Sequence, residues 1–178
     1  TKELTRKNIH DLFVMVLQDT WLFEGTIYDN LSYGSNASLE EVKIAAKAAK
    51  IDTFIENLPD DYYTVLKEGG TNISKGQKQL LTIARALVAD PQIMILDEAT
   101  SALDNATEIL IQGALNELAK GRTTIVVAHR LSTIKNATRI LVVNDGKIVE
   151  SGSHEQLLTQ KGIYAELYNL QFRNTLLS

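Results

Sequence analysis

Apolar residues recur along this chain with two different periods, and the changes between them outline the fold. After Ser74 they fall at Leu80, Leu81, Ile83, Ala84, Leu87 and Val88. That helical spacing is stopped by Ala89-Asp90-Pro91. Residues 92–96 then read as a short, fully buried strand. Residues 12–17 (LFVMVL) and 123–128 (TTIVVA) read as two more buried strands. Ser38 and Glu41 form a capping box at the head of an alanine-rich amphipathic helix over 38–50, and the helical reading continues to Pro59. A further amphipathic helix has apolar positions 109, 110, 111, 114, 115 and 118 and ends at Gly121. Asp145-Gly146, between residues 139–144 and 147–150, predicts a tight hairpin. The chain closes on a helix carrying Leu167, Leu170 and Phe172, and His154 reads as a helix-start residue with no ligand.

Composition narrows the class. The 178 residues make one domain or most of one, and 44% hydrophobic with 22% charged residues is ordinary for a globular protein. A formal net charge of -4 gives no basic footprint, so nucleic acid is not expected as a partner. The absence of cysteine removes disulfides and thiolate metal sites. No apolar run approaches the roughly 20 residues that span a bilayer, and no signal peptide opens the chain, so a cytosolic domain is expected. Lys43, Lys47 and Lys50 form a stripe that reads as a solvated helix face.

Two features suggest chemistry. The strand over 92–96 delivers Asp97 and Glu98 to its carboxyl end, and two adjacent carboxylates there are costly unless a cation meets them. Ligands of open α/β sheets sit beyond such strand ends. The simplest reading is a magnesium-nucleotide site, with Asp97 toward the metal and Glu98 toward an attacking water. The second feature is the helix start at Ser74. Its unpaired N–H groups and partial positive charge suit phosphate oxygens, and Gly76 lets a ligand approach the backbone. Ser74 also reads as an ordinary N-cap.

Three motifs in this region resemble those of ATP-binding cassette (ABC) ATPases. They are Ile73-Ser74-Lys75-Gly76-Gln77 for the signature, Ile93 to Glu98 for the Walker B strand, and Ser101-Ala102-Leu103-Asp104 for the loop that follows. Each is weak alone; their order and spacing together are specific. Lys75 stands where the signature usually has glycine. The resemblance implies an α/β fold of the P-loop NTPase type with a parallel sheet, incomplete here. It places a helical subdomain over about residues 30–90. It implies binding of ATP with Mg2+, hydrolysis by Glu98 with His129 on the γ-phosphate, and Asp97 and Gln18 serving the metal. Gln18 belongs to a segment similar to the Q-loop, and the frame VVAHRLST around His129 is similar to the switch histidine. Without that frame each would be read as a structural strand-end residue. Ser74, Gly76, Gln77 and Asp104 are implied to hold the nucleotide, with the signature gripping ATP bound by a second nucleotide-binding domain. Residues 64–70 (TVLKEGG) look like an exporter segment with Glu68 at its acidic position, although Leu66 and Lys67 depart from the pattern. The implied partners are therefore a second cassette and a transmembrane domain, at the cytoplasmic face of the cell membrane.

The Walker A pattern G-x-x-x-x-G-K-[ST] occurs nowhere in the 178 residues. A fragment beginning after the P-loop helix is expected, inactive by itself, with a hydrophobic edge beside the strand that precedes His129. A soluble ABC ATPase and a non-catalytic cassette module are the rival readings.

Overall fold

The computed structural model describes residues 12–17, 20–97, 105–128 and 131–175, in two compact units divided between Val127 and Ala128. In the first unit the chain runs through strand β1 (Phe13–Val16), a two-residue β2 (Gly25–Thr26), helix α1 (Ile27–Leu31), α2 (Leu39–Ala48) and α3 (Asp52–Glu56). A two-residue β3 (Val65–Leu66), the long helix α4 (Lys75–Ala89), β4 (Ile93–Asp97), α5 (Asn105–Ala119) and β5 (Thr123–Val127) follow. The second unit holds α6 (Leu131–Ile134), β6 (Ile140–Asn144), β7 (Lys147–Gly152), α7 (His154–Gln160) and α8 (Ile163–Thr175).

Strands β1, β4 and β5 form a parallel sheet in that order. Helices α4 and α5 build one core with it. Leu80, Leu81, Ile83 and Ala84 of α4 and Ile111, Ala114, Leu115 and Leu118 of α5 are buried together with Val16, Met94 and Leu96. The strands are less buried than their composition predicts. Only alternate residues of β4 are buried, because successive side chains point to opposite faces and the helices cover one of them. In β1 only Val16 is buried, while Phe13 and Met15 are exposed. In β5 none is: Ile125 is 50% and Val127 47% exposed, against 0% for Met94 in the neighbouring β4. β5 is an edge strand among the described residues, as is β1 at the other side of the sheet.

The stretch between β2 and α4 packs into the same core through Ile27, Leu31, Val42, Ile51, Ile55 and Leu66, joined by Leu22 from before β2. Ser38 caps α2 by accepting from the Glu41 N–H while the Glu41 carboxylate accepts from the Ser38 N–H at 2.7 Å. The helix expected to run on to Pro59 breaks instead at Lys50, whose φ of 61° is left-handed, and restarts at Asp52. The ends of α4 lie as predicted, with Ser74 as N-cap and Asp90 in the left-handed region at the C-cap. Arg122 donates to the Asp90 carboxylate and to the Leu118 carbonyl, which ties the end of α4 to the end of α5.

In the second unit Asp145 (φ 48°) and Gly146 (φ 72°) make the hairpin turn between β6 and β7. Positive φ at both central residues is what a type I′ turn requires. Leu131, Ile140, Leu157 and Tyr164 form this unit's own core. His154 is the first residue of α7, and its Nδ1 lies 2.7 Å from the Tyr164 hydroxyl, a packing role that fits its reading as a helix-start residue.

Candidate nucleotide site

The parallel register sets the geometry of the strand ends. Val16, Leu96 and Val126 lie in one row across the sheet, and Asp97 pairs with Val127. Parallel neighbours lie about 4.8 Å apart, so the three carboxyl ends fall within about 10 Å of one another. Asp97 is half-buried at that edge. Glu98 follows it directly, Gln18 follows Val16 by two residues, and His129 follows Val127 by two. Gln18, Glu98 and His129 lie outside the described residues, as does Asp104, one residue before α5 begins. The chain thus leaves all three strands at one edge immediately before its candidate hydrolytic residues.

No group of three or more Asp, Glu or His among the described residues is arranged to hold a metal ion. A nucleotide-bound Mg2+ does not need one. It keeps several waters and the substrate's phosphates as ligands and takes only one or two from protein. Asp97 at the strand end fits that requirement.

The second candidate element is the start of α4. Ser74 and Gln77 are bound to each other: the Gln77 N–H donates to Ser74 Oγ at 3.2 Å, and the Ser74 N–H donates to Gln77 Oε1 at 2.8 Å. This capping box occupies the hydroxyl and the amide oxygen locally. Ser74 and Lys75 are exposed, whereas Gly76 is buried. A Cβ placed on Gly76 would overlap Thr107 Cγ2 in α5. Further along α4, Gln79 is buried, and its amide nitrogen has no hydrogen-bond partner among the described residues.

A third group, not anticipated from the sequence, ties α4 to the segment that follows Gln18. Arg85 donates from Nε to the Asn30 carbonyl at 2.6 Å, from one terminal nitrogen to Asn30 Oδ1 at 2.8 Å, and from the other to the Trp21 carbonyl at 3.1 Å. Its guanidinium lies over the Phe23 and Tyr33 rings at 5.9 and 5.8 Å. Burial lowers the Arg85 pKa; the carbonyls satisfy its charge in place of water. Asn30 is fully buried and also donates to the Phe23 and Thr26 carbonyls. Nothing in the sequence marked this group, because its partners lie 55 and 64 residues apart. Glu68 sits nearby in sequence, exposed in a tight turn whose Gly69 N–H donates to the Leu22 carbonyl at 3.0 Å.

A parallel sheet with Asp97 at its carboxyl edge is the arrangement in which open α/β domains bind nucleotides. Residues 1–101 match the family described as ABC transporter. The chain belongs to that family. It is 54% identical over 171 residues to an ATP-dependent lipid A-core flippase of Desulfotalea psychrophila, covering 96% of this chain and 30% of the relative. It is 50% identical over 165 residues to a fatty acid ABC transporter ATP-binding/permease protein of Mycobacterium bovis, covering 92% of this chain and 26% of that protein. Among solved structures it is similar to a bacterial Atm1-family ABC exporter with ATP bound, with TM-score 0.86, 45% identity, and coverage of 94% of this chain and 30% of the other. The fold is the ABC ATPase form of the P-loop NTPase class, in the exporter type. The chain spans less than a third of the length of these relatives.

Proposed function

We propose that this chain is the ATP-hydrolysing part of a membrane exporter, and that two such cassettes close on ATP to drive a transmembrane domain. The observation that carries this reading is the common carboxyl edge of β1, β4 and β5, where Asp97 stands and after which Gln18, Glu98 and His129 follow in sequence. Asp97 and Gln18 would hold Mg2+, which supplies charge neutralisation on the β- and γ-phosphates when bound. Glu98 polarises the attacking water, and His129 holds the γ-phosphate. The exposed start of α4, with Ser74 and Lys75, faces the nucleotide of the second cassette; the backbone N–H groups of Gly76 and Gln77 join that grip, and Asp104 also contacts nucleotide. Residues of about 30–90 form the helical subdomain, and Glu68 in its turn faces the membrane domain. The word permease in the mycobacterial relative's name supports a membrane partner, and the cassette would then work at the cytoplasmic face of the membrane.

No Walker A sequence is present in the 178 residues, so the chain by itself should bind ATP weakly and turn it over negligibly. Calorimetric titration of residues 1–178 with Mg-ATP, beside a hydrolysis assay of the intact protein, tests both halves. Weak binding by the first and magnesium-dependent hydrolysis by the second are expected. Tight binding by residues 1–178, or an intact protein with no ATP turnover, would overturn the corresponding half.

A further inference from the structure

We infer that Thr107 is a positioning residue: its methyl group, seated against Gly76, sets the distance between the start of α4 and the start of α5. The inference rests on the nucleotide-site reading above, which it deepens. Gly76 has no positive φ to explain the absence of a side chain, and it is buried. What meets the space a Cβ would fill is Thr107 Cγ2, in overlap, while Thr107 Cβ at 3.6 Å and Oγ1 at 3.7 Å would be in ordinary contact. The absence of a side chain at position 76 therefore matches one methyl group on α5. Thr107 stands three residues after Asp104, so whatever separates the two helix starts also moves the point from which residues 101–104 depart. Two elements directed at nucleotide are thereby held at a fixed spacing by one methyl–backbone contact, and interiors this closely packed transmit a displacement instead of absorbing it.

The contact makes a specific exchange informative. Gly76→Ala adds a methyl to α4 where none fits. Thr107→Ser removes the Cγ2 that it strikes and keeps the hydroxyl. The double substitution moves one methyl across the interface at nearly constant volume, the kind of change packed cores tolerate best. If Gly76 were needed only for approach of a phosphate, the added methyl would harm turnover whatever stood at position 107.

The test uses the intact protein in four forms: wild type, Gly76→Ala, Thr107→Ser and the double variant. ATP turnover is measured together with hydrogen exchange of the first turns of α4 and α5. Gly76→Ala should lower turnover about 10-fold or more and speed exchange in both turns, as overpacking does. The double variant should restore exchange to the wild-type rate and turnover to within about threefold, a non-additive response that independent sites do not give. Unrestored exchange would overturn the contact. Restored exchange with turnover still lost would overturn the positioning role and return Gly76 to phosphate approach alone. A wild type without turnover would refute the proposed function, and the exchange measurement would still decide the contact.

Discussion

In the proposed function the carboxyl edge of the sheet and the start of α4 both serve nucleotide, yet they are built on opposite terms. At the start of α4 the side chains serve the fold: Ser74 and Gln77 satisfy each other, and Gly76 accommodates a methyl of α5. What remains for a ligand there is backbone N–H and the exposed Lys75. At the sheet edge, Asp97 makes no side-chain hydrogen bond or ion pair among the described residues, and a second carboxylate follows it in sequence. A helix terminus can hold phosphate while its side chains stabilise the fold, because the backbone supplies the ligand contacts. A hydrolytic edge cannot, because the chemistry needs side-chain oxygens and nitrogens. Substitutions at the two regions should therefore separate into losses of turnover and losses of stability.

The largest separation is expected at Glu98. Glu98→Gln keeps the shape and removes the basicity, so turnover in the intact protein should fall about 10²–10⁴-fold with ATP binding retained. Steady-state hydrolysis and nucleotide titration check both parts. Near-wild-type turnover would mean that Glu98 is structural and that the contrast fails. Next comes Arg85, which belongs to α4 but anchors the segment after Gln18. Arg85→Ala removes the donor to the Asn30 and Trp21 carbonyls and one of the two donors to the buried Asn30 Oδ1, which keeps the Phe23 N–H. Unfolding measurements should show a loss of about 2–4 kcal/mol. Arg85→Lys should recover only part of it, since an ammonium cannot reproduce the planar fork over two rings. The smallest effect is expected at Ser74. Ser74→Ala removes the N-cap and should cost about 1 kcal/mol of stability. Its nucleotide affinity should change less than that of Lys75→Glu, which places a carboxylate beside the same N-terminus.

The same contrast explains what the sequence could and could not reveal. The ends of α4, the capping boxes at Ser38 and Ser74 and the Asp145-Gly146 turn were legible because each is settled within a few residues. Asp97 at the end of β4 was legible because charge at the end of an apolar run is costly wherever it occurs. Burial of β5 was misjudged for the opposite reason. TTIVVA has the composition of a buried strand, but exposure depends on what lies beside and above it. The break at Lys50 was hidden because helical spacing resumes immediately at Asp52. Thr107 and Asn30 were invisible for want of any local pattern. Each matters through a partner distant in sequence, Gly76 for the first and Arg85 for the second.

The division of labour itself is tested most directly by mixing two forms of the intact protein. Put Glu98→Gln and Lys75→Glu on one copy and pair it with a wild-type copy. If each ATP lies between the sheet edge of one cassette and the α4 start of the other, both sites then carry one lesion, and turnover should be lost. Put the same two changes on separate copies, and both lesions fall in one site while the other stays whole, so turnover should persist. Substantial turnover by the first arrangement, in a preparation shown to contain only mixed pairs, would contradict the account.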